Sequence, residues 1–233
     1  MNDVLGHRRV FGVLIPYFNT AVEPELADLR PLGVTNQTAR FTLDANVLQD
    51  VADCSRKLSA CGLDALLVAI SPEFIPGGIE LMQQAASEAA EELDRPVFTT
   101  PLATHAALKE LGAKRVGLVT PFDDAANEHV RASFESNGFT VAAIHGIPAP
   151  SFDAIGKTDP TLIRRACREA ALPEVEAIVQ VGTGLPLLHL VHELEQELDR
   201  PVVSGNAALY WHALRETGIR DTRSGFGRLL SAH

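Results

Sequence analysis

The chain has 233 residues, a formal net charge of −10 from 30 acidic and 20 basic side chains, and 46% hydrophobic against 21% charged residues. That composition excludes a disordered or low-complexity protein and fits one or two domains of ~100–150 residues. The acidic balance argues against a nucleic-acid partner, no apolar run approaches the ~18 residues of a membrane span, and three cysteines (Cys54, Cys61, Cys167) make no disulfide framework. Met1 to Arg9 holds no apolar stretch, so a cytoplasmic protein without a secretory leader is the expectation.

Short apolar runs that read as buried strands occur at Val10–Ile15, Ala65–Ile70, Val116–Thr120, Phe139–Ile144, Ala177–Val181 and Val202–Val203. Between them lie stretches with helical spacing: Val47–Ala60, Gly78–Leu93, Ala103–Leu111, Ala125–Ser136, Thr161–Ala171, Leu187–Leu198 and Ala207–Thr217. Continuous apolar strands alternating with helices predict an α/β fold with parallel sheets, because helices then cover both sheet faces.

A long internal repeat sharpens this. Leu93-Asp94-Arg95-Pro96-Val97 recurs 105 residues later as Leu198-Asp199-Arg200-Pro201-Val202, and the same shift lays Gly12–Tyr17 over Gly117–Phe122. A related offset lays Asp64–Leu67 over Glu176–Val179. The repeat predicts two pseudo-symmetric doubly wound halves, each with a short parallel sheet: residues 1–100 with 206–233, and residues 101–205. Open parallel sheets bind ligands outside the carboxyl ends of their strands, so one small ligand would sit in the cleft between the halves. Four loops would line it: Pro16–Thr20, Ser71–Gly78, Pro121–Asp124 and Gly182–Pro186.

Asn19 and Thr20 can donate to an anion or cap the next helix. Ser71 stands where a strand stops, and Pro72 and Pro76 rigidify the loop after it while removing two amide donors. Glu73 is the acid there, a general base if burial raises its pKa and otherwise a solvated loop glutamate. Asp123 or Asp124 reads as a helix cap. Gly182-Thr183-Gly184 before a helix exposes backbone N–H groups and a hydroxyl, a competent oxyanion site that is too short to be a dinucleotide fingerprint. His189 and His105 are the histidines placed to shuttle protons near a carboxylate, or else polar surface. His189 and His192 have no third ligand, so no metal site is expected.

Gly12–Pro24 with Phe18-Asn19-Thr20 and Glu23-Pro24-Glu25, then Asp64–Ser71, Gly112–Glu128, Glu176–Glu195, Pro201–Ser204 and Gly225–Leu229, together resemble the maleate isomerase and arylmalonate decarboxylase branch of the aspartate/glutamate racemase superfamily. The resemblance covers nearly the whole chain. It implies a cofactor-independent isomerase or lyase acting on a small carboxylate, and a substrate-binding set of Asn19, Ser71, Phe122, Gly182, Thr183 and Gly184. It also implies catalytic cysteines at the strand ends, where this chain has Ile70 (or Ser71) and Gly182. Cys54, Cys61 and Cys167 fall in helical stretches and read as core or helix-face residues. The expectation is therefore a non-cysteine mechanism with an oxyanion pocket, its catalytic group to be sought among Ser71, Thr183, Glu73 and His189. The alternative is a carboxylate-binding protein that has lost the chemistry. A homo-oligomer is compatible with either.

Overall fold

A computed structural model describes residues 3–233. The first half runs β1 (Arg9–Pro16), α1 (Val22–Leu29), β2 (Val34–Phe41), α2 (Val47–Ser59), β3 (Ala65–Val68), α3 (Gly78–Leu93), β4 (Val97–Thr99) and α4 (Thr100–Glu110). The second runs β5 (Arg115–Thr120), α5 (Asp124–Ser136), β6 (Thr140–Gly146), α6 (Pro160–Ala170), β7 (Ala177–Gln180), α7 (Val191–Leu198), β8 (Val202–Ser204) and α8 (Gly205–Glu216), with α9 (Arg228–Ala232) closing the chain. Each half carries one four-stranded parallel sheet, ordered β2-β1-β3-β4 and β6-β5-β7-β8. The chain leaves the centre of each sheet in opposite directions, which puts a topological switch point between β1 and β3 and another between β5 and β7.

The sequence repeat has a structural cause at each of its three places. Asp94 and Asp199 end α3 and α7 in the left-handed conformation, at φ 50° and 49°, where Asp is among the few residues tolerated. The arginine that follows then reaches back to the loop before the neighbouring strand. Arg95 Nε donates to the Leu63 carbonyl at 2.9 Å, and Arg200 Nη1 donates to Leu172 and Val175 at 2.8 Å each. Asp64 accepts from the Val10 amide at 2.7 Å, and Glu176 accepts from the Lys114 and Arg115 amides at 2.7 and 2.9 Å. Gly12 and Gly117 hold matching strand positions where a Cβ would lie 2.5 Å from Leu63 Cδ1 and 2.3 Å from the Ala170 carbonyl oxygen. At Gly117 the end of α6 therefore sits close because the residue is glycine, while at Gly12 the same space is filled by the Leu63 and Leu66 side chains.

α4 and α8 lie against each other, and α8 also packs on α1. Their buried faces join strands of both sheets in one apolar core that includes Phe11, Leu67, Leu118, Val179, Leu209 and the fully buried Tyr210. This shared core sets the angle at which the two sets of strand ends face one another. Among the described residues no helix is long and apolar enough to cross a membrane.

The short β4 and α9 were not among the expected elements, and other parts differ from them as follows. β2, with sequence VTNQTARF, is an edge strand buried mainly at its ends, so its polar middle hid it. α1 forms despite Pro24, which sits in the first turn, where a missing N–H costs nothing. The expected helix from Leu187 starts as a 3₁₀ turn at Leu188–Leu190 and becomes α-helical only at Val191.

Candidate functional site

All four strand-end loops converge on one cavity. Its walls are Pro16, Phe18 and Asn19 after β1, Ile70, Ser71 and Phe74 after β3, Phe122 after β5, and Gly182, Thr183 and Gly184 after β7. Leu43, Phe152 and Ile155 complete it. The free space is about 30 Å³, room for about two waters.

The polar side is built from the loop after β7. Among the described residues no acceptor takes the backbone N–H groups of Gly182, Thr183 and Gly184, whereas the neighbouring Val181 and Leu185 amides bond to Val119 and Gly182 carbonyls. Gly182 sits at φ +102°, a conformation suited to glycine. Gln180 Nε2 donates to the Gly182 carbonyl and Gln180 Oε1 accepts from the Gly205 amide at 3.2 Å, fixing the turn. Ser71 is buried and lines the cavity beside this loop.

Asn19 does two jobs at once. Its Oδ1 accepts from the Ala21 and Val22 amides at 2.9 and 3.1 Å, capping α1, and its Nδ2 donates to Thr183 Oγ1 at 3.1 Å. Thr183 Oγ1 in turn donates to the Ala69 carbonyl at 3.3 Å. The Thr183 hydroxyl proton is thus engaged in joining the halves, and the loop offers an anion its amides rather than that hydroxyl. Asp123 caps α5 by accepting from the Ala126 amide at 2.9 Å.

The rest of the wall is aromatic. Phe18 stacks on Phe152 with centroids 5.1 Å apart, Phe74 stacks on Phe122 at 4.5 Å, and Phe74 meets Phe152 at 5.6 Å. No lysine, arginine, histidine, cysteine, aspartate or glutamate lines the cavity, so an anion there would be held by neutral dipoles alone.

Several expected residues lie elsewhere. His189 is in the 3₁₀ turn, exposed, and paired with Asp28 at 3.1 Å, and it does not line the cavity. His105 is buried on α4 with its ring 5.2 Å from those of Phe134 and Phe139, and burial, aided by Lys109, pushes its pKa down to about 4. Glu73 is not a solvated loop residue. It is buried in a 3₁₀ turn at Pro72–Phe74 that packs on α3 and α5, and it does not line the cavity. Its Oε2 has no partner, and burial pushes its carboxyl up to about 7 against a modest pull from its own backbone N–H. Cys54 and Cys167 are buried in the packing of α2 and α6, with the Cys167 thiol pushed up to about 12 by burial. Cys61 is exposed just past α2, beside Arg8–Val10 at the opposite end of β1. Among the described residues no group of three His, Cys, Asp or Glu side chains is placed to hold a metal.

Glu73 yields a pH prediction. A carboxyl near 7 in the fold and 4.5 unfolded costs stability as pH rises from about 4.5 to 7, up to roughly 3 kcal/mol. Glu73→Gln should therefore match wild type near pH 4.5 and exceed it by roughly 1–3 kcal/mol at pH 8. Denaturant unfolding at the two pH values measures this; an equal difference at both would contradict it.

Phe18 and Phe74 lie in two of the loops expected to line the cleft, whereas Phe152 and Ile155 come from outside all four. They belong to a 3₁₀ segment (Phe152–Lys157) in the connection after β6, the edge strand, which reaches the cavity because Gly156 lets it close against Thr20. A Cβ on Gly156 would sit 2.5 Å from Thr20 Oγ1.

Two halves with facing switch points around a small cavity define the class of molecule, and comparison with known proteins gives the family. A family model described as arylmalonate decarboxylase matches residues 15–230; the chain belongs to that family. The arylmalonate decarboxylase of Bordetella bronchiseptica is 29% identical over 189 residues, covering 79% of this chain and 78% of that protein. The maleate isomerase of Nocardia farcinica is 28% identical, covering 97% and 96%. In structure, the maleate isomerase of Pseudomonas putida S16 superposes with a TM-score of 0.87 at 23% identity over 96% of this chain and 98% of that one. A cysteine-to-serine variant of the Nocardia enzyme, holding a covalently bound succinylcysteine intermediate, superposes at 0.86 with 26% identity over 97% and 99%.

Proposed function

We propose that this protein is a lyase-type enzyme that decarboxylates a small dicarboxylate bearing an apolar substituent, by a mechanism without cysteine. The observation that carries the reading is the pairing of three unpartnered amides (Gly182, Thr183, Gly184) with a wall of four phenylalanines in a cavity that has no cation. Neutral dipoles aimed at one spot favour a charge that develops there over one that is already fixed and solvated. The phenylalanines suit an apolar or aryl group and strip water from the carboxylate that leaves. The step breaks the bond between the α-carbon and one carboxylate, releases CO₂, and places the electron pair on the remaining carboxylate as an enediolate. The amides, with the Ser71 hydroxyl, hold its oxygens. A proton from water then reaches the α-carbon.

Thiol addition, the chemistry of the succinylcysteine intermediate in the Nocardia relative, needs a cysteine at the cavity, and none of the three is there. Isomerisation of maleate by that route is therefore the less favoured activity here. A ring cannot enter the present space, so binding requires Phe18 or Phe152 to turn outward; Phe152 is already 46% exposed.

The expected result is that phenylmalonate in heavy water releases CO₂ and gives product deuterated at the α-carbon, with Ser71→Ala at least about tenfold slower. Binding of phenylmalonate without CO₂ release or deuterium uptake would replace this reading with a carboxylate-binding protein. That second reading is favoured by one observation, the lack of any titratable group in the wall.

A further inference from the structure

Behind the Gly182–Gly184 amides lies a buried carboxylate that the proposed chemistry does not use. Glu25, on α1 of the first half, is 3% exposed. Its Oε1 accepts from the Leu188 amide at 3.1 Å, and its Oε2 accepts from Asn206 Nδ2 at 2.7 Å. Asn206 Nδ2 also donates to the Thr183 carbonyl at 3.0 Å. Glu25 therefore grips the loop directly at Leu188 and, through Asn206, at Thr183. Together with Asn19 on Thr183 Oγ1, this fixes a second-half loop from the first half.

We propose that Glu25 is a positioning residue for the Gly182–Gly184 amides, and that an anion bound on those amides is linked to protonation of Glu25. The coupling half rests on the carboxylate-binding reading above; the positioning half does not. A buried carboxylate and a bound anion on opposite sides of one short loop repel, and no cation lies in the cavity to offset the repulsion. Binding then favours the protonated carboxyl, and protonation favours binding to the same degree. The groups acting on Glu25 fit this. Burial raises its pKa to about 7, the bonds from Asn206 and Leu188 pull it down, and Asp28 on the next turn of α1 raises it. The turn after β7 presents His189, which pairs with Asp28, and α8 presents the neutral Asn206. No lysine or arginine acts on Glu25.

The test uses phenylacetate, the acid the proposed step would release, which does not turn over and is ionised over the range, in titration calorimetry from pH 6 to 9, with buffers of differing ionisation enthalpy to count protons. Wild type should take up a fraction of a proton near pH 7 and bind about tenfold more weakly at pH 9 than at pH 6, the change given by a one-unit shift in a linked group. Glu25→Gln should flatten the profile, while Glu73→Gln, which removes the other carboxyl titrating near 7, should keep it. In the absence of ligand, hydrogen exchange at the bonded amides of Leu185, Leu187 and Leu188 should rise at least about fivefold in Glu25→Gln and in Asn206→Ala, and not in Glu73→Gln. A flat wild-type profile with no proton uptake, or a slope that survives in Glu25→Gln, overturns the coupling. Unchanged exchange in both variants overturns the positioning role. Failure of wild type to bind phenylacetate, with no turnover of phenylmalonate, removes the carboxylate reading and the coupling with it, and leaves the exchange measurement to decide the positioning role.

Discussion

Asn19→Ala should lose roughly 2 kcal/mol of stability and most of the affinity for a carboxylate ligand. The stability loss follows from the two amides it leaves uncapped, those of Ala21 and Val22, and from the loss of its bond to Thr183 Oγ1. A cap alone is worth about 1 kcal/mol, and the buried hydroxyl left without its donor adds a similar amount. Asn19→Asp separates the two roles. Its oxygen still caps α1, so stability should stay within about 1 kcal/mol of wild type. The second oxygen, however, now faces Thr183 Oγ1 and the anion loop, so binding should fall further than in Asn19→Ala. Denaturant unfolding and calorimetric titration of both variants measure this. Equal binding by Asn19→Asp and wild type would show that the amide does not hold the loop.

Gly182→Cys, the substitution that would place a thiol at the second strand end, should cost roughly 2–4 kcal/mol. Two terms contribute. The backbone there has φ +102°, which an L side chain adopts only under strain. A Cβ would also lie 2.6 and 2.8 Å from Pro121 Cδ and Cγ, with Phe122 Cζ at 3.5 Å. Pro121→Ala removes both ring atoms, so Gly182→Cys in that background should recover about 1–2 kcal/mol, the steric part. Thermal unfolding of the two single variants and the double variant checks this. Losses that simply add would mean Pro121 is not the obstacle. The same geometry means that lack of activity in Gly182→Cys alone would say little about the pocket, whereas the double variant presents a thiol to an intact cavity.

The fold was legible because its signals are repeated. Buried strands such as Ala65–Val68 and Ala177–Gln180 are unbroken apolar runs, and Leu-Asp-Arg-Pro-Val marks the same helix ending in both halves through the left-handed Asp94 and Asp199. Convergence of the four loops followed from the switch-point rule applied to each half. What stayed hidden depends on distance in the chain or on burial. Phe152 and Ile155 reach the cavity from the connection after the edge strand β6, outside the loops at the two switch points. Glu25 stood only as part of the Glu23-Pro24-Glu25 motif, and its burial appears once α8 packs on α1 and Asn206 meets it. Thr183 looked like a free hydroxyl, because nothing in Gly-Thr-Gly tells that Asn19 and Ala69, from the other half, take both sides of it. Glu73 looked solvated, because a glutamate between two prolines gives no sign that its turn packs beneath α5.

The account's central claim is that neutral backbone amides between two matched lobes hold a small acid. Amide-resolved NMR titration of the full-length protein with phenylacetate, which the proposed step cannot consume, tests it most directly. The account predicts saturable shifts led by the amides of Gly182, Thr183, Gly184 and Ser71, together with the Asn19 side-chain amide. Saturable binding that leaves these five signals in place and moves others would contradict it.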